Sequence, residues 1–455
     1  MHELISLDRY RERLDDLETV KLSGYVRKIA GTVIEATGPK SAVGSTCLVF
    51  PRDEEGRELT PLMAEVVGFD ERGTMLMPLE DARGVLPGSR VERQRTRPYV
   101  RVGEDMLGRV LTGLGEPLDG LPAPVGAESR ALYGRVGNPV RRRRIAEVLD
   151  TGVAAINATL TLGLGQKVGI FAGSGVGKSV LLGMIARHTA ADVNVIALIG
   201  ERGREVREFI ERDLGEEGLA RSVIVAATSD RSPLQRLRAA YLATTVAEYF
   251  RDRGKRVLLM MDSLTRFAMA RREIGLAVGE PPTSKGYTPS VFALMPALLE
   301  RVGNAEGEGG ITGLYTVLVE GDDMNDPVAD AARSILDGHI VLSRRLAARN
   351  HYPAIDILES SSRCMPDIVA PDHRALAGHV RETLAAYAEA EDLVNIGAYV
   401  AGSNPRIDQA LAVIDDVTGL LRQKVDERVP VGHAVAGMAR AFQKQTAGRP
   451  REAAR

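Results

Sequence analysis

The chain has no tryptophan, and aromatic residues make up only 4% of its 455 positions. Surfaces that stack nucleic-acid bases are built from aromatic rings, so the sequence has little with which to make one. A strong charge of either sign is also missing. The 59 Lys and Arg nearly balance the 61 Asp and Glu, leaving a net charge of −2, and the two signs are interspersed. That excludes a general polyanion binder, and no specific nucleic-acid partner is expected. Cysteine is scarce: Cys47 and Cys364 stand far apart, with no second ligand at metal spacing. Neither a disulfide framework nor a zinc site follows, which fits a reducing compartment. Long apolar runs are absent too, and the segment Met1 to Tyr10 is too charged for a secretory leader, so a cytoplasmic protein is expected. What remains is ordinary globular material, 44% hydrophobic and 26% charged, in a length that predicts two or three domains.

Taken in order, the chain changes texture four times. Leu7, Tyr10, Leu14 and Leu17 recur at helical steps among charged residues, so residues 1–20 read as an amphipathic helix, either docked on its own chain or offered to a partner. Residues 21–96 consist of short β-rich runs punctuated by Gly38-Pro39 and Pro87-Gly88, the pattern of a small barrel. Residues 97–150 read as a connector, and its basic run Arg141 to Arg144 as a solvated linker rather than a phosphate contact. From 151 to 369 strand-like and helix-like segments alternate, predicting parallel strands with crossover helices. Residues 370–455 read as all-helical, with helices over Arg374 to Val394 and Ile407 to Val425 and a loose tail from Thr446.

The chemistry is expected at the carboxyl ends of the parallel strands. Lys167 to Ala172 is a short apolar run. It is followed by Gly173-Ser174-Gly175-Val176-Gly177-Lys178-Ser179 and then by the helical stretch from Val180. Strand, glycine-rich turn and helix form a phosphate-binding loop, although Ala172 stands where the usual pattern opens on glycine. Backbone N–H groups from Gly173 to Val180 would converge on phosphate oxygens at a helix N-terminus. Lys178 would add full charge, and the Ser179 hydroxyl is placed for Mg²⁺. The bland alternative is a helix N-terminus with a surface lysine. Asp262 closes the apolar strand Val257 to Met261, where it is either a second Mg²⁺ ligand or an N-cap for the next helix. Glu201 and Arg202 follow another strand, where the carboxylate could polarise a water or the two could form a surface ion pair.

With Ala172 to Ser179, Gly200-Glu201-Arg202-Gly203-Arg204-Glu205-Val206 and Asp262-Ser263-Leu264-Thr265-Arg266 in view, the sequence resembles the type III protein-export ATPases, relatives of the catalytic subunit of the rotary ATP synthase. The likeness continues through Gly279 to Phe292, Glu320 to Asp323 and Asp337 to Arg345, and is strongest to the flagellar branch. It implies an α/β fold: a RecA-like P-loop core with an N-terminal β-barrel domain and a C-terminal all-helical domain. It also implies Mg²⁺-dependent ATP hydrolysis in a homohexamer that energises export of flagellar proteins. At matching positions, Lys178 and Ser179 would hold ATP and Mg²⁺, Glu201 would orient water, and Arg202 would stand beside phosphate. Tyr352 would stack on adenine, and Arg363 would be the finger presented to the next subunit. The resemblance further implies partners: a dimeric negative regulator at the N-terminal helix, a central stalk protein facing Gly279 to Pro289, a membrane export gate, and export substrates with their chaperones. A peripheral place at the inner-membrane export apparatus follows. The alternatives are an injectisome ATPase, a rotary synthase subunit, or a RecA-type RNA translocase.

Overall fold

The computed structural model describes residues 21–447 except 72, 96, 97, 320 and 322. The expected helix over residues 1–20 and the end of the polar tail lie outside the described residues. The described residues form two compact units, 21–99 with 273–280 and 100–272 with 281–447.

In the first unit, runs that alternate apolar and polar residues form β1 (Ser23–Ala30), β2 (Val33–Ala36), β3 (Thr46–Phe50), β4 (Leu62–Asp70), β5 (Gly73–Pro78) and β6 (Arg90–Arg95). They close into a barrel in the order β1-β2-β5-β4-β3-β6, with Ser23 against Glu92 and Tyr25 against Arg90 completing the ring. The alternation sends Val26, Ile34, Cys47, Val49, Ala64, Val66, Leu76 and Val91 into one core, and closure leaves no strand edge unpaired. Gly24 permits a backbone crossing, since a Cβ there would lie 2.3 Å from the Gly38 carbonyl. Burial pushes the Cys47 thiol up to about 11, so it stays a neutral core residue.

The second unit is built on an almost wholly parallel sheet. Its strands are β7 (Val110–Thr112), β8 (Lys167–Ala172), β9 (Val193–Ile199), β10 (Ser222–Ala227), β11 (Arg256–Asp262), β12 (Gly310–Leu318), β13 (Gly338–Leu342) and β14 (Ile355–Ser362). Their order is β14-β13-β8-β12-β11-β9-β10-β7, and β14 alone of these runs antiparallel, against β13. Every residue of β8, β9 and β10 is buried, because helices cover both faces; that is why these strands read as continuous apolar runs rather than alternating ones. β7 departs from expectation. It lies in the stretch read as a connector, yet pairs in parallel with β10 through Val110 and Ile224. The basic run differs as well: Arg142 donates to the Glu300 and Val302 carbonyls and Arg143 to the Glu308 carbonyl, so these side chains pin a loop instead of trailing in solvent.

The helices that place the site are α1 (Ala154–Thr159), α2 (Lys178–His188), α3 (Gly203–Glu208), α4 (Pro233–Arg251) and α5 (Leu264–Ala277). On α2, Leu181, Leu182, Met184 and Ile185 are each at most 2% exposed and seat the helix on the sheet. Burying each contributes roughly 1.5–3 kcal/mol, so the loop before α2 has a rigid base. The chain ends in α6 (Pro371–Asn395), α7 (Pro405–Leu421) and α8 (Val431–Ala447). Pro371 and Pro405 start their helices in the first turn, where the missing N–H costs nothing, and Asn404 caps α7 by accepting from Arg406 N. α7 stops at Leu421 rather than Val425, because Arg422 is extended and the chain turns away.

Candidate active site

β8 ends between β12 and β13, and the chain then wraps through Gly173 to Gly177 into α2. Gly175 (φ +79°) and Gly177 (φ +87°) have left-handed backbone, which glycine adopts without strain, and a Cβ at Gly175 would meet nothing within 4 Å. The loop is therefore an open concavity of N–H groups at a helix N-terminus, while Val176 is packed inward at 2% exposure. Gly173, Ser174, Gly175, Gly177, Lys178, Ser179 and Val180 line a cleft of about 670 Å³ together with Glu201, Arg202, Glu205, Arg266 and Arg344. The sequence-predicted loop is thus gathered where phosphate would sit, and the lysine faces the cleft rather than bulk solvent.

Lys178 is held in place by two acids. Its Nζ is 2.5 Å from Asp262 Oδ1 and 3.7 Å from Glu201 Oε1. Burial works against the ammonium, but the Asp262 and Glu201 carboxylates outweigh it and hold its pKa above the usual lysine range. Asp262 also accepts from Thr316 Oγ1 at 2.6 Å. The capping alternative for Asp262 is not realised: Ser263 Oγ accepts from Arg266 N at 3.2 Å and does that work at the start of α5.

Glu201 follows β9 through Gly200 (φ +71°), where a Cβ would crowd Arg266 Cγ at 3.0 Å. The turn is fixed by Gly200 N donating to Ala227 O and Ser229 N donating to Glu201 O. The Glu201 side chain is 19% exposed, which rules out the surface-pair alternative. Burial, then the nearby Asp262 charge, pushes its pKa up to about 7 against the pull of Lys178. Glu205 shares a hydrogen bond with Glu201; burial opposes its ionisation, but that bond and the Arg202 N–H hold it below the usual range. Arg202 is 76% exposed and pairs with Glu205 at 3.3 Å.

Tyr352 and Arg363 are separated. The Tyr352 ring lies over the phosphate loop, within 3.4 Å of where a Gly177 Cβ would be, and is 41% exposed. Arg363 is exposed at the other end of the strands, where the parallel strands begin: its N donates to Asp337 O, and Asp337 Oδ2 accepts from Lys167 N at the start of β8. The six residues of β8 thus separate Arg363 from the loop by roughly 16 Å of strand, and it does not line its own chain's cleft.

Two cleft residues, Arg266 and Glu205, and the buried Thr316 behind Asp262 escaped sequence reasoning. Arg266 lines the cleft, and its buried Nε has no hydrogen-bond partner. It stands in the Asp262 to Arg266 motif, so a signal existed. Glu205, one turn beyond Glu201, also had one. Thr316, in mid-strand, had none.

For Mg²⁺ the available donors are hard oxygens, the Ser179 hydroxyl and the Asp262 carboxylate. Among the described residues no group of three or more His, Cys, Asp or Glu side chains could hold a metal unaided. That combination suits an ion shared with phosphate oxygens and water better than a protein-only cage.

This site and sheet define a P-loop nucleotide-hydrolysing enzyme. Residues 152–362 match the ATP synthase alpha/beta family, nucleotide-binding domain, and residues 369–440 match the T3SS EscN ATPase C-terminal domain. The chain is 52% identical over 433 residues to the flagellum-specific ATP synthase of Salmonella typhimurium, covering 93% of this chain and 94% of that one. It is 52% identical over 404 residues to the type 3 secretion system ATPase of Xanthomonas euvesicatoria, covering 89% and 90%. Among solved structures, the assembled ATPase EscN of the enteropathogenic E. coli type III secretion system is 44% identical with a TM-score of 0.86, covering 92% of this chain and 99% of that one. The chain belongs to the flagellum-specific and type III secretion ATPases, and ATP hydrolysis is its activity.

Proposed function

We propose that the chain is a Mg²⁺-dependent ATPase that energises export of flagellar proteins through a type III secretion apparatus, acting as a homohexameric ring. The observation that carries this reading is the separation within one chain: Lys178, Glu201 and Asp262 meet at the carboxyl ends of the parallel strands, while Arg363 stands near their amino ends. A copy placed with its Arg363 toward the cleft would bring the missing cation to the phosphates.

On this reading Lys178 exchanges Asp262 for phosphate oxygens, and Tyr352 stacks on the base. Ser179 and Asp262 would hold Mg²⁺, which neutralises charge on the outer phosphates when bound. As a carboxylate, Glu201 orients the attacking water and draws its proton as the oxygen bonds to the γ-phosphorus and the bridging oxygen departs with ADP. Arg202 and the neighbour's Arg363 steady the charge on the transferred group.

EscN has been solved in complex with its central stalk EscO, at a TM-score of 0.83 to this chain. By analogy, the loop from Gly279 to Pro289 faces a ring pore and a stalk of this kind. The arm over residues 1–20 would take a dimeric regulator, and the ring would work beside a membrane export gate and receive chaperoned substrates. The Xanthomonas and EscN likenesses favour an injectisome ATPase as the second reading.

ATP turnover per chain, measured against protein concentration with assembly followed by light scattering, tests the shared site. Turnover should rise steeply as rings form. A rate that is already maximal for the monomer would overturn it.

A further inference from the structure

Tyr352 is held by almost nothing of its own. Its ring is 41% exposed and touches the loop at Gly177, so where it stands is decided by its backbone. That backbone is gripped by the segment linking α7 to α8. Tyr352 O accepts from Gln423 N at 3.0 Å, and the buried His351 accepts on Nδ1 from Arg422 Nε at 3.4 Å. Two successive residues leaving the C-terminal helices therefore hold the two residues that set the ring.

Gln423 is in turn fixed from the far side. Its side chain is 8% exposed, and its amide is fully used: Oε1 accepts from Ala154 N at 2.7 Å, and Nε2 donates to Gly152 O at 2.8 Å and to Glu427 O at 2.6 Å. Gly152 and Ala154 lead into α1, and Gly152 packs against His188 at the far end of α2. The same connector accepts from the last turn of α2, where Arg187 Nη2 donates to Val425 O at 2.8 Å. A buried amide that satisfies its polar atoms between its own connector and the start of α1 specifies one geometry.

We infer that Gln423 is a positioning residue for the nucleotide base: it locks the α7–α8 connector to the start of α1, and the connector sets the height of Tyr352 above the phosphate loop. Base affinity is thereby coupled to the C-terminal helices, while the phosphate cradle is left alone. This rests on the reading of Tyr352 as the base contact.

The test compares ATP with inorganic tripolyphosphate, which has phosphates and no base, in full-length Gln423→Leu, Tyr352→Ala and the double variant. Gln423→Leu should raise the KM for ATP about fivefold to tenfold, keep kcat within about twofold, and leave inhibition by tripolyphosphate unchanged. In the Tyr352→Ala background the same change should add nothing further. Equal weakening of ATP and tripolyphosphate, or full additivity with Tyr352→Ala, overturns the assignment. If Tyr352→Ala itself leaves the ATP to tripolyphosphate ratio unchanged, the base contact is what fails. If Tyr352→Ala lowers that ratio and Gln423→Leu does not, the clamp alone fails. Should Gln423→Leu not fold, Gln423→Glu, which keeps the acceptor for Ala154 N and loses both donors, decides by the same ratio.

Discussion

Lys178 and Asp262 form a 2.5 Å ion pair inside the cleft, and the same Asp262 oxygen accepts from Thr316. On the proposed reading, the charge meant for phosphate thus has an internal counter-ion, and the acid meant for the metal is neutralised by it. Nucleotide arriving with its metal would give Lys178 and Asp262 new partners together, which would limit the cost of breaking a partly buried pair.

Asp262→Asn should therefore act mainly through the metal. At saturating ATP, the Mg²⁺ concentration for half-maximal turnover should rise by about tenfold or more, since a charged oxygen donor is lost. A Mg²⁺ titration checks this, and an unshifted midpoint would remove Asp262 from the metal's surroundings.

Glu201→Gln should bind ATP normally and turn over on the order of 10² to 10⁴ times more slowly. It also carries a stability signature. A carboxyl raised from 4.5 to about 7 favours folding fully below its unfolded pKa and loses that contribution as pH climbs through the folded one. The neutral amide escapes the loss, so ligand-free Glu201→Gln should melt near wild type at pH 4.5 and higher at pH 8, by up to about 3 kcal/mol. Calorimetry across that range would show the divergence, and parallel melting curves would count against a buried, shifted Glu201.

Arg363→Ala and Lys178→Ala should each be inactive even when assembled. Mixed at equal amounts, some boundaries pair an intact loop with an intact arginine, and random mixing predicts about a quarter of wild-type turnover. No recovery in rings shown to contain both chains would return Arg363 to a structural role.

Leu182→Ala removes a core side chain under the phosphate loop, 1% exposed. It should cost about 2–5 kcal/mol of unfolding free energy. Denaturant titration measures it, and a loss under about 1 kcal/mol would mean that α2 seats loosely.

The sequence revealed most clearly what is buried on both sides. β9, β10 and β11 were expected as uninterrupted apolar runs and formed as such, because strands in the middle of a parallel sheet have no solvent face to pattern. The loop and the acids at the strand ends were legible because their order in the chain follows the strand ends. β7 was not, since three residues in a turn-rich stretch become a strand only when β10 offers an edge. Thr316 reaches Asp262 through the register of β12 beside β11, which no local pattern records. The early end of α7 has a similar cause, a side chain anchored far away at Gly152 and Ala154. Tyr352 and Arg363 were singled out only through likeness to a family, since nothing around them in the sequence sets them apart.

β14 opens just after Tyr352 and closes just before Arg363, and among the described residues it is bonded to the sheet along one side only. Its middle bulges out, with Ser361 opposite His339 and Asp356 opposite Val341, so it spans only the five residues of β13, roughly 15 Å. On the proposed reading Tyr352 serves its own chain's nucleotide and Arg363 the neighbour's, so a shift of this one strand would move both. The same short strand would then relay occupancy of one compartment to readiness in the next.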